Sequence, residues 1–274
     1  MESASRRPGS CSRKGGMAMT GTVRIERRAT TLLCILDNLR KRNSLNGAML
    51  EGLAAAAAQV ERDREVRAVV IAGEGGDAFC SGADISEWGA LDPVEFGRDW
   101  VGGGHALFDR LARLPVPVIG AINGSAFGGG LELAALCDVR IASKGALFAL
   151  PEASIGVTPG WSGAQRLGRL LPQALLREMA LTGGQLTAER LWSVGFLNEI
   201  SDAPVVRALE IAARVAGLAP RAVETTRLVL NAAIGEGREQ AIDRLAGGLV
   251  AATSDKQEGV ASFREKRRPT FTGK

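Results

Sequence analysis

Two short apolar runs constrain this chain most: Ala68-Val69-Val70-Ile71-Ala72, closed by Gly73, and Val116 to Ile122. Each is strand-length, too short for a typical helix, and does not alternate with polar residues, so each reads as a strand buried on both faces. Strands of that kind belong to parallel sheets covered by helices. The flanking sequence supplies them. Asn46 to Asp63 has a polar start, an alanine-rich middle and a charged end, and a further helix is expected from about Pro93 to Leu114. Thr22 to Ile25 and Thr31 to Leu36 read as strands with Arg27 to Ala29 turning between them. Asn123 to Gly130 reads as a loop, Leu131 to Cys137 as a short helix, and Val139 to Ala142 and Phe148 to Leu150 as strands. After Pro159 the strand signal nearly stops. From about Ala203 to Glu265 the chain reads as successive helices, punctuated by Gly217-Leu218-Ala219-Pro220 and Gly235-Glu236-Gly237. The expectation is an α/β core over residues 19–200, followed by a helical region over 201–274.

Residues 1–18 differ from the rest, being rich in Ser, Gly and Arg without an apolar stretch, and are expected to be a disordered extension. They carry Arg6, Arg7, Arg13 and Lys14 against Glu2, which is three of the chain's four net positive charges. The remainder is close to neutral, which argues against nucleic acid as a partner. No apolar run reaches the roughly 18 to 20 residues needed to cross a bilayer. The cysteines Cys11, Cys34, Cys80 and Cys137 form no C-x-x-C pair, and His105 is the only histidine. That leaves no zinc-type ligand set, so no metal is expected. Scattered thiols suit a reducing compartment, and a cytoplasmic location is expected. His105, among Gly104, Ala106, Leu107 and Phe108, reads as an ordinary helix residue.

Chemistry is suggested where charge sits in apolar sequence. Glu132 lies in Leu131-Glu132-Leu133-Ala134-Ala135-Leu136, and Glu152 follows Phe148-Ala149-Leu150-Pro151. Burying an unpaired carboxylate is costly, so each glutamate is either a solvated edge residue, half of a structural ion pair, or a functional group. Gly128-Gly129-Gly130 opens the helix that carries Glu132. A glycine run at a helix start leaves backbone N–H groups open to a substrate oxygen, and the helix dipole favours negative charge there. Close packing on a neighbouring strand would use the same glycines. Phe79-Cys80-Ser81-Gly82-Ala83-Asp84-Ile85 forms a second small-residue turn able to present amides. Gly73-x-Gly75-Gly76 does not open directly into a helix and so fails as a dinucleotide fingerprint.

Three motifs in order resemble the crotonase superfamily, the enoyl-CoA hydratase/isomerase family. They are Ala78 to Ile85, the stretch Pro115 to Asp138 with its Asn-Gly-x-Ala-x-Gly-Gly-Gly-x-Glu-Leu centre, and Pro151-Glu152 through Pro159-Gly160 to Gln165-Arg166-Leu167. The resemblance runs over about residues 22 to 274. It implies an α/β fold of the ClpP/crotonase type, a spiral of ββα turns, with a C-terminal helical region used to form a homotrimer or a hexamer. It implies an acyl-CoA thioester as partner, with no cofactor beyond the substrate's own coenzyme A and a place in fatty acid metabolism. By motif position, the amides of Ala83 and Gly129 would form an oxyanion hole. Glu132 and Glu152 would be the two catalytic carboxylates, and Gly160 would help hold the catalytic water. Arg42, Ser44, Ser81, Gly82, Ala83, Asp84, Ile85, Ser86, Gly128, Gly129 and Trp161 would line the coenzyme A and acyl surface.

Two departures stand out. Trp161 replaces a small residue after Pro-Gly and is expected to shorten or reshape the acyl pocket. Ser86 stands where a lysine often follows Ala-Asp-Ile. The implied reaction is addition of water to a 2-enoyl-CoA, giving a 3-hydroxyacyl-CoA. Isomerisation, decarboxylation or thioester hydrolysis at the same oxyanion hole are the alternatives, with a non-catalytic or RNA-binding member of the fold more remote.

Overall fold

The computed structural model describes residues 21–274; the expected N-terminal extension over 1–18 lies outside them. The chain opens with β1 (Thr22–Arg28) and β2 (Thr31–Asp37), then α1 (Gly47–Arg62), β3 (Ala68–Gly73) and β4 (Ala78–Cys80). Next come α2 (Ile85–Trp88), α3 (Pro93–Glu95), a π-helical turn at Phe96–Val101, and α4 (Gly102–Ala112). There follow β5 (Val118–Ile122), β6 (Ser125–Phe127), α5 (Gly129–Ala135), β7 (Val139–Ala142), β8 (Leu147–Ala149) and a 3-10 turn, Glu152–Ile155. The rest is α6 (Gly163–Leu170), α7 (Gln173–Thr182), β9 (Leu186–Thr187), α8 (Ala188–Ser193) and β10 (Glu199–Ile200), then α9 (Pro204–Ala216), α10 (Pro220–Ala233), α11 (Arg238–Ala251) and α12 (Ser254–Glu265).

Two sheets result, ordered β1-β2-β3-β5-β7-β10 and β4-β6-β8-β9. β1 and β2 are antiparallel, whereas β2, β3, β5, β7 and β10 run parallel. Each turn of chain leaves one strand on the first sheet and the next on the second before entering helix: β3 then β4, β5 then β6, β7 then β8. This repeat is the ββα spiral. Side-chain alternation divides the first sheet between two cores. Leu32, Cys34, Leu36, Val69, Ile71 and Ile122 face the interior shared with α1, α4 and α5. Leu33, Val70, Ala72, Ile119 and Ile141 face Ala208 and Ala212 of α9. The expected strands β3 and β5 are buried at every position.

Several boundaries differ from the sequence reading. β1 continues through Arg28, which pairs with Thr31, so the turn is Ala29-Thr30, with Ala29 at φ 52°. The helix expected from Pro93 to Leu114 is interrupted by the π-helical turn, in a stretch bearing Gly97, Gly102, Gly103 and Gly104, where helix propensity is low. Within the region read as loop, Ser125–Phe127 forms β6, and Ala78–Cys80 forms β4. Asn46 caps α1 by accepting from the Met49 amide at 2.8 Å. α9 lies against the sheet, so the helices that stand away from it begin at α10.

Candidate active site

The two glutamates reach one cleft from different turns of the spiral. Glu132 sits in the first half of α5, and Glu152 opens the 3-10 turn after β8. Both line one cleft, together with Ala83, Gly129 and Gly160. Each carboxylate is seated where a glycine makes room. A Cβ on Gly163 would lie 2.2 Å from Glu132 Cγ, and one on Gly128 would lie 2.8 Å from Glu152 Oε1. Gly128 also adopts φ 50°, ψ −124°, a conformation that strongly favours glycine.

The surroundings separate the two acids. Glu132 is buried, and its Oε1 accepts from the Trp161 amide at 3.0 Å and the Gly163 amide at 2.9 Å. Burial raises its proton affinity, while the two amides, Arg166 and His105 pull the other way; the net direction is upward. Glu152 is opposed in this only by its own backbone N–H. Its Oε2 is buried without a partner among the described residues. Burial, with a further contribution from the charge on Glu132, raises its pKa to about 7. The site therefore holds one carboxyl group steadied by two N–H donors beside a second that keeps its proton to about pH 7.

The amides complete the set. The Ala83 nitrogen lies 3.5 Å from where a Gly129 Cβ would stand, which brings the two backbone segments side by side. Gly129 is the first residue of α5, so its N–H has no intrahelical partner. Among the described residues neither the Ala83 nor the Gly129 N–H donates to a backbone carbonyl. The Ala83 strand is held by its neighbours instead: the Leu45 amide donates to Gly82 O and the Asp84 amide to Leu45 O, both at 2.8 Å.

The other expected contact residues divide. Ser81, Gly82, Gly128 and Trp161 line the cleft. Ile85 and Arg42 are exposed, with Arg42 in the left-handed region at φ 53°. Asp84 is buried and caps α2 through the Ser86 amide. Ser44 is buried, with its hydroxyl 3.4 Å from Asn38 Nδ2 and outside the lining of this cleft, because the turn after Asn38 folds inward there. Lys41 was not anticipated. Its Nζ contacts Asp84 Oδ2 at 2.6 Å and Ser86 Oγ at 2.8 Å, so a cation reaches the position of the missing lysine from a different loop.

Trp161 forms a wall of the cleft. It is 3% exposed and packs on Trp100 and Phe108, with ring centroids 5.6 Å and 5.2 Å away. A Cβ on Gly104 would come within 2.1 Å of its Nε1, and one on Gly129 within 2.9 Å of its Cζ3. The indole therefore occupies the volume between α4 and the Gly129 amide. Trp88, Phe96 and Trp100 line the same cleft. Gly163 also escaped the sequence reading. Its signal was a small residue opening a helix after Pro159-Gly160.

A spiral fold that gathers two unengaged amides and two buried carboxylates in an apolar cleft defines an enzyme of the crotonase type. The family described as enoyl-CoA hydratase/isomerase matches residues 26–274, and the chain belongs to that family. It is 33% identical to a short-chain-enoyl-CoA hydratase of Clostridium acetobutylicum, over 90% of this chain and 95% of that protein. A crotonyl-CoA hydratase of Syntrophomonas wolfei is also 33% identical, over 91% of this chain and 97% of its own length. The solved enoyl-CoA hydratase of Bacillus anthracis superposes with a TM-score of 0.75 at 31% identity, covering 92% of this chain and 100% of that one. The fold is that of the crotonase superfamily, and the protein is an enzyme of the hydro-lyase type.

Proposed function

We propose that this enzyme adds water reversibly across the double bond of a 2-enoyl-CoA. The observation that carries the reading is the convergence of Glu132 and Glu152, in unlike environments, beside the Ala83 and Gly129 amides. The two amides donate to the thioester oxygen and stabilise the charge that gathers on it as Cβ is attacked. One such donor contributes roughly 3 to 4 kcal/mol to lowering a barrier of this kind. Glu132, aimed by two N–H groups and acting in its ionised form, takes a proton from the water whose oxygen bonds to Cβ. Glu152 delivers its proton to Cα. The π-electrons of the C=C bond become the new Cα–H bond, and the proton left on Glu132 returns to Glu152 before the next turnover, so the net consumption is one water. Gly160, on the cleft wall beside Trp161, is the backbone position assigned to holding that water. Acid–base help of this type contributes about 10² to 10⁴-fold.

The coenzyme A handle runs over Ser81 to Ser86, with Arg42 and Lys41 nearby as exposed cations. The handle belongs to the substrate, and the chemistry invokes no metal. Three aromatic side chains and Trp161 around the acyl end favour short enoyl groups. The helical end over 201–274 is assigned to subunit contact. Leu230, Leu249 and Phe263 expose apolar surface there, of the kind a homotrimer, alone or paired into a hexamer, would bury. Among the described residues no helix is long and apolar enough to cross a membrane, and the unpaired buried thiols Cys34, Cys80 and Cys137 suit a reducing cytoplasm. The test is product analysis after incubation with short, medium, branched and aromatic 2-enoyl-CoAs. Gain of one water on a short enoyl-CoA is expected. Double-bond migration, loss of carbon dioxide or free coenzyme A without hydration would reject the reading.

A further inference from the structure

Behind the Glu132 carboxylate, on the side away from the acyl cleft, α4 and α6 enclose a second cluster of polar groups that the mechanism does not use. It contains His105, Asp109, Ser162 and Arg166. Ser162 lies between the two residues whose amides hold Glu132 Oε1. Its backbone is left-handed, with φ 66°, ψ 10°, a region that disfavours residues with a Cβ. Something must hold it there. Its hydroxyl donates to Asp109 Oδ1 at 2.8 Å and lies 3.0 Å from His105 Nδ1. Asp109 Oδ1 also accepts from Arg166 Nη2 at 2.8 Å, and Asp109 Oδ2 accepts from Arg113 at 3.1 Å. Arg166 is buried and pairs in addition with Glu236. The chain from α4 through Ser162 to α6 is thus fixed on both sides by buried charge.

We propose that Ser162, tethered by Asp109 and His105, is a positioning residue for Glu132: its left-handed turn aims the Trp161 and Gly163 amides at one carboxylate oxygen. A nucleophilic role for the Ser-His-Asp grouping does not fit the donors. A carboxylate can only accept, so the serine proton is directed to Asp109. His105 Nδ1 must then donate to the hydroxyl rather than withdraw its proton. Burial works against ionisation of Asp109, yet bonds from Arg166 and Ser162 keep its carboxyl below the ordinary value. Ser162 also lines the outer cluster rather than the acyl cleft.

The kinetic consequence rests on the hydratase reading; the structural one does not. Loosening the turn removes hydrogen bonds that favour the charged form of Glu132, so its proton affinity rises and its aim worsens. The groups that face Glu132 from its neighbours, Glu152, Arg166 and His105, keep their charged partners in Ser162→Gly, whereas Asp109→Asn also removes the anion beside Arg166 and His105 and is therefore read for kcat alone. Glycine tolerates the left-handed backbone, so Ser162→Gly removes the tether without adding strain. Two readouts are compared with wild type: crotonyl-CoA hydration, and the titration of Glu132 by ¹³C-carboxyl NMR, with its resonance assigned by its loss in Glu132→Gln. We expect kcat to fall about 10-fold with KM little changed, and the Glu132 midpoint to move upward. An unchanged midpoint in Ser162→Gly overturns the proposal. If the wild type does not hydrate crotonyl-CoA, the hydratase reading fails while the midpoint still decides the role of Ser162.

Discussion

Replacing Glu152 by glutamine should stabilise the protein, and more so as pH rises. Glu152 keeps its proton to about pH 7 in the folded state, against 4.5 ordinarily, because burial penalises the charge and Glu132 adds to it. Between those values the native state binds more protons than the unfolded chain, so wild-type stability falls as pH rises. The loss is complete above about pH 7 and absent well below 4.5. At about 1.4 kcal/mol per unit, ionising Glu152 costs the folded state about 3 kcal/mol at pH 8, and less than about 1 kcal/mol at pH 5. Glutamine matches the neutral acid in shape and carries no such cost. Urea unfolding of both proteins at pH 5 and pH 8, at one protein concentration, should show the variant's advantage growing by about 2 to 3 kcal/mol. An advantage of equal size at both pH values would refute the claim that Glu152 is held protonated by its site.

Three further substitutions act on named contacts. Gly163→Ala places a Cβ 2.2 Å from Glu132 Cγ, so it should displace the carboxylate and lower hydration kcat by about 100-fold, measured beside circular dichroism to show retained fold. Trp161→Ala should cost about 3 to 5 kcal/mol in urea unfolding through the cavity it leaves. It should also raise kcat/KM for octenoyl-CoA relative to crotonyl-CoA by about tenfold in a competition assay. Arg227 is buried, bonding to Asp138 Oδ2 and to the carbonyls of Ala112 and Leu114. Arg227→Met should therefore cost about 3 kcal/mol by taking the cation from Asp138, which keeps only the Val118 amide, and a donor from the Ala112 and Leu114 carbonyls, read by the same unfolding experiment.

Much of the spiral was legible because β3 and β5 are long enough to show an uninterrupted apolar run, and α1 because its cap and composition mark both ends. β4 and β6 were not. Ala78–Cys80 and Ser125–Phe127 are three residues each, too short to show a strand period, and exist as strands only because each pairs with the next turn. Within the site, Glu132 and Glu152 drew notice as charges in apolar sequence, which left edge, ion-pair and functional readings open, and Trp161 through the family resemblance, as a bulky residue where a small one usually follows Pro-Gly. Ser162 carried no such mark, since a left-handed serine is visible only once its tethers from α4 are seen. Likewise Lys41 reaches Ser86 by tertiary contact from 45 positions away, and Ser44 is turned inward by Asn38.

Most direct of all is the hydration rate of crotonyl-CoA by four proteins: wild type, Glu132→Gln, Glu152→Gln and the double variant. If both acids act in one transition state beside the Ala83 and Gly129 amides, each single change lowers kcat by about 100-fold or more, and the double change lowers it little further. Wild-type rates in either single variant, with the fold intact, would contradict that shared role.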